Sequence, residues 1–324
     1  MPLDVLQLAR RQRDEISRAD AANLQRLAEA YALMYEDLEG DIDALILAIS
    51  NSEGMTAAEV KRLPQYKRLM RNGADGLDSF TNYLEVTIGT ASAAAIGLGL
   101  VHSRTMINAM VNAGFKGLDS RAMRPLLDYL ANGSPLYNRL AQLTGATVDR
   151  VVQTIIDGVG SGFNPRRIAG QIQDAFGAGL TDALRNTRTV QIWSYRDSAR
   201  ANYMATGGIV TGWIWYAELD ADTCLSCVAQ HGTIHDLDEQ LDDHYNGRCA
   251  PLPYIEEFGN PVEQSGEDYF ASLTEAEQRA SMGDTKWEAW QDGKFTFDQL
   301  SQQHENDIYG HMRSEASLAS LLGE

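Results

Sequence analysis

The chain has 324 residues, 44% of them hydrophobic, which is apolar material enough for packed cores in one or two domains. Its longest apolar run, Ala93 to Val101, is well short of the ~20 residues a membrane helix needs, so no stable membrane span is expected. Of the net charge of −18, residues 1–72 (10 Lys+Arg against 12 Asp+Glu) and 73–200 (12 against 10) cancel, leaving the whole excess in 201–324 (5 against 23), a surface that repels phosphate and does not grip nucleic acid.

The N-terminus, MPLDVLQLARRQRDE, has no apolar h-region, so a soluble protein made inside the cell is expected. Leu3, Leu6, Ile16, Leu24, Leu27, Tyr31, Met34 and Leu38 recur among charges without glycine or proline between them. That spacing predicts a helix to about 38, ended by Gly40. A short apolar helix is expected over 41–50, and Thr56-Ala-Ala-Glu59 is a capping box that opens another. These make a first helical segment, 1–72.

A second segment, 73–206, reads as a helical core. Residues 75–113 are rich in small side chains, centred on Thr87 to Leu100, which suits close helix packing. A segment that inserts into a membrane or a narrow channel is the alternative. Asp119-Ser120 precedes a further helical stretch. Thr147 is expected to cap a helix ending near Gly158, Asn164-Pro165 to open one over 166–176, and Thr181 to open one reaching about Thr206. On that last helix Arg185, Arg188, Arg196 and Arg200 fall within an arc of about 120°. They form either a stripe for phosphate or an acidic partner, or a set of pairs with local carboxylates.

Gly207-Gly208 breaks the helix, and the β-branched and aromatic residues of Ile209 to Leu219 predict a strand. It leads into the third segment, 207–262, which holds every cysteine of the chain, Cys224, Cys227 and Cys249, and three of its six histidines, His231, His235 and His244. The C-x-x-C pair aims two sulfurs at one point, and His244 with Cys249 supplies a second hook. Together they suit a tetrahedral zinc site of Cys224, Cys227, His244 and Cys249, with no open position and hence a structural role. His231 and His235 are rival ligands. A Cys224–Cys227 redox pair and plain packing are the competing explanations. Catalytic zinc patterns do not fit. After His304-Glu305 the position needing histidine is Ile308, and the deaminase pattern is missing because Thr223 precedes the pair. Asp243-His244 after a C-x-x-C leaves an HNH-like nuclease, with His244 as base, as the enzymatic alternative.

In the fourth segment, 263–324, Thr274-Glu-Ala-Glu277 and Thr296-Phe-Asp-Gln299 are capping boxes, and Trp287 and Trp290 share a helix face expected to pack on the knuckle. The tail over 310–324 is weakly patterned and reads as mobile or partner-docked. The expected fold is mainly α: an elongated helical region followed by a small α+β domain with a metal knuckle.

The residues Arg188-Thr189, then Trp215, Ala217 and Asp220, then Asp222-Thr223-Cys224, Cys227, Gly232, His244 and Arg248-Cys249 follow one pattern. It resembles that of the Mu F-like minor head proteins of tailed bacteriophages, the head-morphogenesis family. The stretches Glu277 to Gly283 and Trp290 to Phe295 resemble that family's C-terminal segment. The likeness covers about 85–300, with specific motifs from 185 onward. Three positions depart from it: Val190 replaces a glutamate, Tyr245 a proline, and Gly247 the first of two closing cysteines. The resemblance implies a non-enzymatic minor capsid protein of the virion, at the portal vertex and in the host cytoplasm during assembly. It would assist head assembly and DNA packaging or ejection, with the portal protein as partner and the major capsid or scaffolding protein as further contacts. An ejected DNA-delivery protein, with Thr87 to Val101 as the inserting stretch, is a further alternative.

Overall fold

The computed structural model describes residues 5–52, 55–112, 114–123 and 134–323. It is mainly helical with a small strand region near the C-terminus. In chain order the elements are α1 (Val5–Ser50), α2 (Ala57–Val60), α3 (Pro64–Val111), α4 (Pro135–Gly160), α5 (Pro165–Met204), β1 (Gly212–Tyr216), α6 (Leu225–Gln230), β2 (Ile234–His235) and β3 (Ala250–Tyr254). Then follow α7 (Gly266–Ser272), α8 (Glu275–Met282), α9 (Asp284–Gln291), β4 (Ser301–Asn306), β5 (Gly310–Glu315) and α10 (Leu318–Leu322). Two compact units result, and α1, α3 and α5 contribute to both. The helix expected after Asp119-Ser120 is a single 3-10 turn over 120–123, beyond which it lies outside the described residues.

One unit comprises Ala19–Ala91 and Asp128–Arg188. Here three expected helix ends are corrected. The chain passes through Gly40 without a break, because Leu38, Ile42 and Leu45 continue the buried stripe and outweigh the cost of one helical glycine, about 1 kcal/mol. Thr147 is not a cap but a buried residue inside α4. The stretches expected as two helices over 166–176 and 181–206 are one helix, α5. Gly179 lies inside it because a Cβ there would crowd Thr147 Oγ1 and the Tyr31 hydroxyl. Tyr31 donates to the Phe176 carbonyl at 2.7 Å and meets the Phe80 ring edge-on at 4.8 Å.

The other unit comprises Met1–Arg18, Ser92–Leu127 and Thr189–Glu324. The small residues of α3 do allow close packing in this unit. A Cβ on Gly99 would overlap the Ser198 hydroxyl and the Tyr195 carbonyl of α5. By length and composition α3 is also the one described helix apolar enough to cross a membrane.

The three-stranded sheet has the order β2-β1-β3, all antiparallel. All five residues of β1 are buried, and they serve two cores by strand alternation. Trp213 and Trp215 face one cluster with Ile107, Ala199, Tyr203, Leu241, Cys227 and Cys249. Ile214 and Tyr216 face a second with Ala9, Met106 and Leu252. Pro251 and Pro253, opposite Trp215 and Trp213, are tolerated because β3 is an edge strand that need not donate outward.

Residues 263–324 share a cluster with α6: Leu225 and Val228 pack with Phe270, Met282, Phe297 and Leu300, and Trp287 and Trp290 cover them as expected. Phe270 and Trp290 meet edge-on at 5.4 Å. The predicted capping boxes at Thr56, Thr274 and Thr296 are present, the last opening a 3-10 turn and not an α-helix. The tail differs from expectation. Its first residues form β5, which pairs antiparallel with β4 over six residues, and α10 follows.

Candidate metal centre

The knuckle is built by a short helix and a closing loop brought together by the sheet. Cys224 is the N-cap of α6, its sulfur 3.4 Å from the Cys227 N–H, so both sulfurs of the C-x-x-C turn the same way. β3 begins directly after Cys249 and pairs along the length of β1, which fixes the loop 243–249 against α6. Within the loop Asn246 takes a left-handed conformation (φ 60°) and the Gly247 N–H donates to the His244 carbonyl at 3.0 Å, closing a tight turn.

The four predicted ligands form one cluster that can hold a metal ion. The donor atoms of Cys224, Cys227 and His244 lie within 4.8 Å of one another, and so do those of Cys227, Asp243 and Cys249. His244 Nε2 is 3.1 Å from Cys224 Sγ and 3.3 Å from Cys227 Sγ. Its Nδ1 is 2.7 Å from the Tyr245 carbonyl, an atom that can only accept, so Nδ1 carries a proton and Nε2 points to the sulfurs. The Trp215 indole N–H is buried without an acceptor, in the same cluster as Cys249.

These features fit a thiophilic divalent ion. Among the bare side chains the charges are already partly separated. A hydrogen bond from Cys227, with that of His244, draws the Cys224 thiol down to about 5, while the Cys224 sulfur draws His244 up to about 9. The neighbouring sulfurs push Cys227 well up, and burial pushes Cys249 up. A bound cation would relieve that crowding by replacing the protons.

The rival ligands are committed elsewhere. His231 Nδ1 accepts the Ala217 N–H at 3.0 Å, and burial holds the ring neutral, with its pKa lowered to about 4. His235 stacks on Trp213 at 4.3 Å and bonds Thr233 and Glu239. Asp243 is the group that sequence reasoning missed as part of the cluster. At Gly247, where the resembling pattern has a cysteine, a Cβ would overlap the Asp243 carboxylate, so the carboxylate fills the space that a side chain there would need. The C-terminal hairpin also buttresses the loop. Arg313 and Gln303 bond the Asp242 carboxylate at 2.8 and 2.6 Å, and Tyr309 meets Tyr245 edge-on at 5.5 Å.

The arginine stripe resolves into carboxylate pairs: Arg185 with Asp182, Arg188 with Asp20, Arg196 with Asp243 and Arg200 with Asp197. The cavity beside His244, lined by Thr189, Trp193, Arg196 and Tyr309 among others, measures only about 10 Å³. A larger hollow of about 610 Å³ also borders Cys224, between Asp220, Leu225, Phe270 and Glu277. In comparison with known proteins, the chain matches no family model, no curated protein and no solved structure.

Proposed function

We propose that this chain is a non-enzymatic minor head protein of a tailed phage, acting at the portal vertex, and that its Cys/His cluster is a structural zinc site. The observation that carries the metal reading is the convergence of donors: those of Cys224, Cys227 and His244 lie within 4.8 Å of one another, and Cys249 adjoins them through Cys227. Both nitrogens of His244 are engaged, one by a carbonyl and one by two sulfurs, and a zinc ion held by three cysteines and this histidine would have no open position. The site joins α6, the closing loop and β3, so a bound ion would add folding energy where the local sheet is small. The portal assignment rests on the motif pattern of residues 188–249 and is in keeping with the acidic 201–324 block, which would let DNA pass without holding it.

The HNH-like alternative asks His244 to act as a base on water beside a phosphodiester. The engaged Nε2 and the 10 Å³ cavity beside it both weigh against that role. Native mass spectrometry of the chain co-expressed with the portal protein of the same genome tests the proposal. A complex of defined stoichiometry, with one zinc per chain, is expected. A chain that remains monomeric beside assembled portal overturns the portal reading. DNA cleavage with Mg²⁺, Mn²⁺ or Zn²⁺ that His244→Ala abolishes, with fold and metal retained, overturns the non-enzymatic one.

A further inference from the structure

We infer that Arg196 and Asp243 are the brace of the metal centre, a buried positioning pair that holds the closing ligands in place and sets how tightly the ion is kept. The inference rests on the metal reading above. The two side chains are 7% and 1% exposed, and their ion pair measures 2.8 Å. Asp243 Oδ1 accepts the His244 N–H at 2.8 Å and lies 3.1 Å from Cys227 Sγ. Asp243 Oδ2 accepts from Arg196 Nη2 and from the Cys249 N–H at 3.3 Å. Arg196 Nε donates to the Cys249 carbonyl at 2.7 Å. One carboxylate and one guanidinium thus grip the main chain of both closing ligands.

Charge explains why the pair must be complete. Three thiolates around a divalent cation leave one net negative charge, and a buried carboxylate beside them would double it. Arg196 cancels that addition, and its planar fork reaches the carboxylate and the Cys249 carbonyl from two separate nitrogens at fixed spacing, which the single ammonium of a lysine does not offer. Ligand-orienting partners of this kind typically govern metal affinity by 10–100-fold. Gly247 offers an independent handle. It is outside the set of left-handed glycines, so alanine suits its backbone, but the added methyl would overlap the Asp243 carboxylate and push it off its partners while every ligand residue is retained.

The test is Zn²⁺ competition against a chromophoric chelator on the full chain, comparing native protein with Asp243→Asn, Arg196→Lys and Gly247→Ala. Co²⁺ spectra and far-UV circular dichroism of each complete it. All three variants should fold, lose about 10–100-fold in Zn²⁺ affinity, and keep the native thiolate-to-cobalt and d–d bands. Unchanged affinity in Gly247→Ala and Asp243→Asn, with one zinc bound natively, overturns the brace and leaves the metal site standing. Altered d–d bands in Asp243→Asn would make Asp243 a ligand and also overturn it. A native chain that takes up no metal removes the metal reading and the inference with it. Should Asp243→Asn fail to fold, Gly247→Ala and Arg196→Lys carry the decision.

Discussion

His231 makes the sharpest quantitative prediction. Its ring is 5% exposed, its Nδ1 accepts the Ala217 N–H, and burial, followed by the nearby Arg13 cation, lowers its pKa from 6.5 to about 4. The unfolded chain therefore takes up a proton below pH 6.5, whereas the folded chain resists it until about pH 4. Stability is unaffected by this group above the unfolded value, falls as pH drops through the interval, and levels off below the folded value. The full gap is worth roughly 3 kcal/mol. His231→Asn keeps an acceptor near the Nδ1 position but cannot titrate. Denaturant unfolding of native and variant chains under identical metal conditions from pH 7 to pH 4 gives the test, because any contribution of the Cys/His cluster is common to both and cancels in the difference. The native protein should lose about 2–3 kcal/mol more than the variant over that range. Parallel curves would refute the claim that a neutral imidazole is held there.

Three further outcomes are expected. Cys224→Ser and His244→Ala should lose bound metal, while His231→Asn and His235→Asn retain it by intact-mass analysis; retention in His244→Ala would remove that residue from the ligand set. Gly99→Ala should cost about 1–3 kcal/mol in denaturant unfolding, because its methyl overlaps the Ser198 hydroxyl and the Tyr195 carbonyl; wild-type stability would show that α3 and α5 are not in close contact there. The Asp220 carboxyl, held to about 2 by its hydrogen bonds from Arg248, should titrate by NMR well below the ordinary range and return towards it in Arg248→Gln. A normal midpoint in the native chain would contradict the paired geometry.

Local chemistry made much of this molecule legible without coordinates. The three capping boxes and the strand around Trp213 are short-range effects, set by neighbours within a few residues, and they appear where the pattern places them, whereas the helical stretches are helical but do not end where expected. The four thiolate and imidazole candidates could be grouped because a C-x-x-C turn confines two sulfurs by itself, and little else in 324 residues offers such donors. What local pattern could not supply was any outcome decided by competition between distant groups. Whether Gly40 ends a helix depends on the buried stripe around it, not on glycine's own preference. The β4–β5 hairpin has a polar, weakly patterned sequence, and its pairing is supported by Asp242 and Tyr245, some 60 residues earlier. His231 and His235 left the ligand set only when the sheet gave their nitrogens other partners, and Asp243 joined the centre only when α5 placed Arg196 against it. Residue types and spacing determined which groups were able to bind a metal. Tertiary packing decided which of them were free to do so, because a buried nitrogen, sulfur or carboxylate is committed to whichever partner the fold places beside it.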